Sequence, residues 1–255
     1  MWTGDGDPET VGPVCPIRVR RPSMIHRWDQ LTFLHWSYDP EVVQGLLPDG
    51  LVVDTFDDRA WVALVPFVME VRPPKGPALP WISRFCETNV RTYATAADGT
   101  RGVWFLSLDA ARLPAVLTAR SLYRLPYLWS AMTFDREDDV VTYTCRRRWP
   151  GPRGASSSVR IRIGEPFQPA ELTDRDHFLT ARWRLYSPRR GGPHAALAEH
   201  PPWPLHRVEV LDLDDELLRA GGLPEPEGEP LCHWSPGVEV RIGTPRRVPG
   251  RPAGR

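Results

Sequence analysis

The stretch that decides the fold is FCETNVRTY, residues Phe85–Tyr93, in which polar and less polar residues alternate. A β-strand turns successive side chains to opposite faces, so Glu87, Asn89 and Arg91 share one face. On an outer sheet surface this polar row would meet water. Inside a closed barrel, the same carboxylate, amide and guanidinium would surround a small polar ligand. Alternation alone leaves both arrangements open.

Strands are predicted on both sides of this stretch. Residues 60–69 form a ten-residue apolar run that is too short to cross a membrane and is typical of a buried strand. The predicted strands are 51–56, 60–71, 85–94, 102–110, 127–134, 140–146, 158–163, 206–211 and 238–242. Short helices are predicted after Asp39-Pro40 and at 113–124, 174–183 and 214–220. This pattern predicts an α+β, mainly antiparallel β fold with a few flanking helices.

The domain organisation follows from composition along the chain. Residues 1–22 and 244–255 are rich in Gly, Pro and charge without periodicity, and we expect both to be flexible tails. Between them, residues 23–243 are predicted to form a single domain, because large sheets often reach this length as one unit.

The charge balance bears on partners and location. The 32 basic and 32 acidic residues give a formal net charge of zero, which argues against a nucleic-acid partner. We interpret the one basic run, Arg146–Arg148, as a solvated strand end or turn. The first residues lack the basic and apolar regions of a secretory signal. We therefore expect a cytoplasmic protein with no membrane partner, and its oligomeric state is left open.

Metal and cofactor sites have little support in the sequence. The four cysteines are far apart without a C-x-x-C pair, which is unsuited to structural zinc and weak evidence for disulfides. His194, His200 and His206 are separated by prolines and cannot form the one-turn pair of a helical zinc site. Glycine fingerprints for phosphates and dinucleotides are missing from the sequence. We expect no metal and no cofactor.

Several motifs together resemble one family. They are LTFLHW at 31–36, the helix that begins at Pro40, AWVALVPF at 60–67, ETNVRTY at 87–93 and GVWFLSLD at 102–109. The chain is similar to the YqjF-like family of uncharacterised bacterial proteins from about Trp28 to Val240. The resemblance implies the cone-shaped β-barrel of acetoacetate decarboxylase, a distant relative, with a site inside the cone. HPPWPL at His200–Leu205 also resembles a family motif, and its role could be loop packing or the pocket rim.

The resemblance to acetoacetate decarboxylase also implies site residues. Glu87 matches the pocket glutamate of that enzyme, and Arg120 matches the arginine of its helix that carries the Schiff-base lysine. The two lysine positions of the enzyme fall on Tyr127 and Leu128. A phenol cannot form an imine with a ketone, so covalent amine catalysis is not expected here. Lys75, the sole lysine, lies in a proline-rich stretch and is expected to be exposed and inert.

Three hypotheses for the function follow. The first is a small-molecule pocket with non-covalent acid-base chemistry on a carbonyl or carboxylate compound, with Glu87 and Tyr127 as candidate catalytic groups. The second is the same pocket used only to bind or sense a metabolite, and the third is a structural or interaction domain. The expected ligand-binding residues are Glu87, Asn89, Arg91, Arg120 and Tyr127.

Overall fold

A computed structural model describes residues 8–78, 83–118, 120–121, 125–189 and 192–248. The strands are β1 (Met24–Tyr38), β2 (Leu51–Val53), β3 (Thr55–Phe56), β4 (Arg59–Arg72), β5 (Arg84–Ala96), β6 (Arg101–Ala110), β7 (Tyr127–Glu137), β8 (Val140–Trp149), β9 (Ser156–Pro166), β10 (Arg184–Ser187), β11 (His194–Glu199), β12 (His206–Asp215), β13 (Leu231–Ile242) and β14 (Arg246–Arg247). The α-helices are α1 (Pro40–Gln44), α2 (Leu113–Thr118), α3 (Asp174–Thr180) and α4 (Leu217–Ala220).

The strands pair into one sheet that closes on itself. Following the hydrogen-bonded neighbours gives β6-β7-β8-β9-β12-β13-β1-β4-β5, and β5 then pairs with β6 to complete a ring of nine strands. All pairings in this ring are antiparallel except that of β6 with β7. The predicted α+β, mainly antiparallel fold is confirmed, and the closed ring is consistent with the expected cone.

A second, smaller ring shares a wall with the first. β10 pairs with β6 and with β11, and β11 pairs with β13. The path β10-β11-β13-β1-β4-β5-β6 is therefore also closed. The five strands β13, β1, β4, β5 and β6 belong to both rings, and each face of this shared wall looks into a different interior.

The interior of the nine-stranded ring is filled with apolar side chains. All nine strands contribute to this core, with fully buried examples in Leu34, Leu64, Val90 and Ile161. Because both faces of the shared wall are covered, residues from Ala60 to Met69 of β4 are buried without interruption. The prediction of a buried strand there is confirmed.

A bulge in β1 accommodates proline in the middle of the sheet. Gln30 has a positive φ of 50°, and the register of β1 with β4 shifts between Asp29 and Leu34. Pro66 lies on β4 opposite this irregular stretch. Since proline has no N–H to donate to a ladder, a bulged partner removes the need for that bond.

The remaining differences from the sequence predictions are unpredicted strands and shifted element limits. Strands β1, β10, β11 and β14 were not predicted, and β13 begins at Leu231 instead of near Val238. Helix α2 ends at Thr118, and residues 119 and 122–124 of the predicted helix lie outside the described residues. No helix in the described ranges has the length and apolar character needed to span a membrane.

Parts of both predicted tails contact the sheet. Glu9 forms an ion pair with Arg184, and the backbone N–H of Val19 donates to Glu199. Arg246 and Arg247 form β14, which pairs with β11. The domain limits and the flexibility of the tails stay predictions.

Gly102 allows the smaller ring to close. β6 and β10 pair at only two positions among the described residues, Leu185 with Val103 and Tyr186 with Trp104. A Cβ atom on Gly102 would lie 2.7 Å from the carbonyl oxygen of Arg184 and 2.9 Å from Cε2 of Tyr186. The absent side chain therefore lets the two strands approach.

We expect Gly102→Ala to lower the free energy of unfolding by about 1–3 kcal/mol, the usual cost of overpacking a close-packed contact. Urea unfolding of the variant and of the unaltered protein measures this difference. Gly12→Ala is the control, because a Cβ atom there meets nothing within 4 Å. Equal stability of the Gly102 and Gly12 variants would contradict the close-approach argument.

Candidate functional site

The smaller ring encloses a cavity of about 440 Å³, which we call the chamber. Its volume lies in the range of small-molecule sites. All seven strands of the ring contribute lining residues, and α2 and the first residue of β7 complete the wall. The apolar lining includes Trp28, Leu31, Val65, Phe67, Met69, Phe85, Phe105, Leu108, Leu185 and Ile242.

The polar row of β5 lies in this chamber. Glu87, Asn89 and Arg91 all line it, and their residues are 1%, 6% and 6% exposed. Val90, between them, packs into the core of the nine-stranded ring. Of the two arrangements that the alternation left open, the interior one is observed.

Glu87 is buried and forms a hydrogen-bonded pair with the partly buried Tyr127. The Tyr127 hydroxyl donates to Oε2 of Glu87 over 3.0 Å. Burial raises the pKa of Glu87 to about 8, with a smaller upward contribution from Asp109, although the Tyr127 hydrogen bond acts in the opposite direction. Burial also raises the pKa of Tyr127 well above its usual value. At neutral pH both groups therefore carry protons, and Glu87 is a neutral carboxylic acid.

Asp109 is held on the other face of the wall by a buried ion pair. Arg147, part of the basic run that was predicted to be solvated, is buried and binds Asp109 with two hydrogen bonds, from Nε over 2.9 Å and from Nη2 over 2.7 Å. The Ser130 hydroxyl also donates to Asp109, over 2.6 Å. This bidentate pair fixes a negative charge behind Glu87, which favours the protonated form of Glu87.

Arg91 is the buried cation of the chamber. Its guanidinium carbon lies 5.3 Å from the centre of the Phe33 ring. Nε and Nη2 of Arg91 make no hydrogen bond to any described residue, and no described carboxylate pairs with it. The Arg91 side chain also interacts with the Tyr93 side chain, and its two uncommitted nitrogen atoms, Nε and Nη2, are suited to binding an anion.

Asn89 and His26 also line the chamber. Oδ1 of Asn89 and Nε2 of His26 are buried without a hydrogen-bond partner among the described residues. Trp28 Nε1 donates to Nδ1 of His26 over 3.4 Å, and burial lowers the pKa of His26 to about 4. The ring is thus neutral at pH 7 with its proton on Nε2. His26 was not predicted, because a lone histidine in a strand carries no distinguishing sequence signal.

Arg120 is placed differently from the other predicted residues. It does not line the chamber, and its Nη1 donates to the backbone carbonyl of Tyr127 over 2.7 Å. Its guanidinium lies over the ring of Trp149, 5.4 Å from the centre. In this position Arg120 holds the backbone that presents the Tyr127 hydroxyl. Direct ligand binding by Arg120 stays a prediction.

The other motifs of the sequence lie around the chamber. Lys75 is exposed and does not line it. Trp203, from the His200–Leu205 segment, stacks on Trp28 at 6.1 Å and meets the Phe33 ring edge-on at 5.3 Å. Two roles were considered for this segment, loop packing and the pocket rim. The observed contacts of Trp203 are packing contacts with aromatic side chains of β1.

Comparison with known proteins identifies relatives at the level of sequence. Residues 26–239 match DUF2071, described as an uncharacterized conserved protein. The chain is 33% identical over 218 residues to the uncharacterized protein YqjF of Bacillus subtilis (strain 168). That match covers 85% of this chain and 89% of YqjF.

Solved structures share the fold at low sequence identity. An acetoacetate decarboxylase-like enzyme from Sphingomonas wittichii RW1 superposes with a TM-score of 0.64 at 15% identity, covering 96% of this chain and 100% of the other. The enduracididine biosynthesis enzyme MppR complexed with pyruvate gives 0.61 at 13%, covering 93% and 97%. Acetoacetate decarboxylase from Legionella pneumophila gives 0.57 at 9%, covering 97% and 98%. The acetoacetate-decarboxylase-like fold is therefore confirmed.

We expect Glu87 to make the stability of the protein depend on pH. Because its pKa is raised from 4.5 to about 8, the folded state binds this proton more tightly than the unfolded state does. The stability that results is fully present below the pKa that Glu87 has in the unfolded state. It is lost as pH rises through the pKa that Glu87 has in the folded state. Between those values the free energy of unfolding should fall by up to about 1.4 kcal/mol per pH unit.

Urea unfolding at several pH values between about 5 and about 9 measures this slope. Glu87→Gln removes the titrating proton and should flatten the profile over that interval. Glu165→Gln is the matched control, since Glu165 is exposed at the end of β9. Parallel profiles for the unaltered protein and Glu87→Gln would show that Glu87 does not titrate abnormally.

Proposed function

The chain belongs to the DUF2071 family, and on the basis of its chamber we propose that it binds a small carboxylate or carbonyl compound without forming a covalent bond. The observation that carries the proposal is Arg91, a buried cation that no described acidic residue neutralises. A buried unpaired charge is costly, and a ligand carboxylate would compensate it with charge-assisted hydrogen bonds.

The protonation of Glu87 supports an anionic ligand. An ionised carboxylate on the same strand face, four residues from Arg91, would repel a bound anion, but burial keeps Glu87 neutral near pH 7. In its protonated form Glu87 can donate a hydrogen bond, while Tyr127 donates to Glu87 and fixes its orientation. A compound with a carboxylate at Arg91 and a carbonyl oxygen at Glu87 would use both groups.

Proton transfer and simple binding would use the same side chains. A carboxylic acid with a pKa of about 8 is close to the value at which a general acid is most effective at neutral pH. A metabolite sensor would instead need only the hydrogen bonds. Deuterium exchange at the carbon next to the ligand carbonyl, followed by NMR, distinguishes the two roles of the chamber.

The third hypothesis, a purely structural domain, is less well supported. Structural cores are normally filled, as the interior of the nine-stranded ring is. The chamber instead combines about 440 Å³ of space with uncommitted polar groups on Arg91, Asn89 and His26. This combination is typical of ligand sites. Among the structural neighbours, the pyruvate complex of MppR places a small 2-oxo acid on the same fold.

We expect Arg91→Gln to weaken the binding of acetoacetate by about 30-fold or more, because a buried charge pair loses about 2 kcal/mol or more when one partner is truncated. Tyr127→Phe should weaken it by only several-fold, since it removes one neutral hydrogen bond. Isothermal titration gives both constants. Arg175→Gln is the control, because Arg175 is exposed on α3. Undetectable binding to the unaltered protein, or equal affinities for the Arg91 and Arg175 variants, would contradict the proposal.

We also expect that acetoacetate forms no imine with this protein. The sole lysine, Lys75, is exposed, and the positions that resemble the enzyme's lysines hold Tyr127 and Leu128. Treatment with acetoacetate and borohydride followed by intact-mass measurement should show no stoichiometric adduct. An adduct that disappears in Lys75→Arg would mean that Lys75 reaches the ligand, and covalent chemistry would then replace the non-covalent proposal.

A further inference from the structure

The described lining of the chamber is buried and charged at the Arg91 end and partly exposed at the Val71 end. The strand register orders its lining along β5, from Arg91 beside Ala63, through Glu87 beside Phe67, to Phe85 beside Met69. Ala63 is fully buried at the Arg91 end. At the other end Ser23, Met24, Val71 and Arg72 are partly exposed and Pro73 is exposed. The lining is also partly exposed at Ala115, Leu125 and Tyr127, and a ligand that enters from the Val71 side reaches Arg91 last.

Apart from Glu87 and Asn89 on β5, and His26 and Tyr127, the wall between the two ends is mainly apolar. From Phe85 to Arg91 is six residues of strand, roughly 20 Å. The side chains along that distance on the neighbouring strands include Trp28, Leu31, Phe67 and Met69, all buried. Leu108, Leu185 and Ile242 line the chamber from the other strands of the ring. A compound as short as acetate would contact little of this surface.

The second cation of the chamber is already neutralised. Arg72, near the opening, pairs with Glu239 over 2.9 Å. Arg91 has no such partner among the described residues. The asymmetry favours a ligand with its negative charge at the closed end and its uncharged part toward the opening.

We infer that the natural ligand class is a monocarboxylic acid with an extended apolar body, bound with the carboxylate at Arg91 and the body between Phe67, Met69 and Phe85. This inference rests on the proposed function and specifies its ligand. The apolar body gains affinity by leaving water for the wall, and the carboxylate sets the direction of binding.

A series of straight-chain carboxylates from acetate to decanoate, titrated into the unaltered protein, tests the inference without any variant. Affinity should rise about fourfold for each added methylene until the chain reaches the opening. The alcohols of equal length should bind at least tenfold more weakly, and Arg91→Gln should lower the affinity for octanoate toward that of octanol. If the affinity stayed the same along the series while binding still depended on Arg91, the inference of an apolar body would be overturned. The proposed function would be unaffected.

Two other results would have different meanings. Absence of Arg91-dependent binding for every carboxylate, acetoacetate included, would overturn the proposed function itself. If affinity rose with chain length and Arg91→Gln left the affinities unchanged, the proposed orientation of the ligand would be overturned.

Met69→Gln should reduce the gain in affinity per methylene and leave the affinity for acetate unchanged. Met132→Gln, in the core of the nine-stranded ring, should leave the gain per methylene unaltered. An equal effect of the two methionine variants would contradict the position of the apolar body.

Discussion

The shared wall of β13, β1, β4, β5 and β6 is the constraint on which the rest of the structure depends. Each of its strands has two buried faces, one toward a filled core and one toward the chamber. Side chains alternate along a strand, so every second residue must satisfy a different interior. On β5, Val90 packs into the core, whereas Glu87 and Arg91 line the chamber. The site is thus part of the wall that holds the fold together.

Burial gives the polar groups of the chamber their chemical character. In water Glu87 would be ionised at pH 7, but the wall raises its pKa to about 8 and keeps it a hydrogen-bond donor. The same surroundings lower the pKa of His26 to about 4 and leave that ring neutral. Arg91 keeps its charge, because a guanidinium does not lose its proton in proteins. The chamber therefore combines neutral donors with one cation, Arg91, that no described carboxylate pairs.

The sequence predicted the parts of the fold whose residues carry a local pattern. The buried run 60–69 and the alternation of Phe85–Tyr93 were read correctly, since both depend only on neighbouring residues. Strand β1 was missed because its bulge at Gln30 interrupts the alternation. The short β10 and β11 have little periodicity, so the closure of the smaller ring could not be foreseen. The positions of His26 in the chamber and of Arg120 outside it depend on contacts between distant parts of the chain. No short stretch of sequence indicates these contacts.

The two-faced wall also bears on how such proteins diverge. Substitutions at the chamber positions of β5 change the lining of the cavity, whereas those at the alternate positions change the packed core. The cavity lining and the core packing therefore depend on separate sets of residues in the same strands. The structural neighbours retain the fold at 9–15% identity. In this architecture the side chains that line the cavity can be exchanged without replacing those that pack the core.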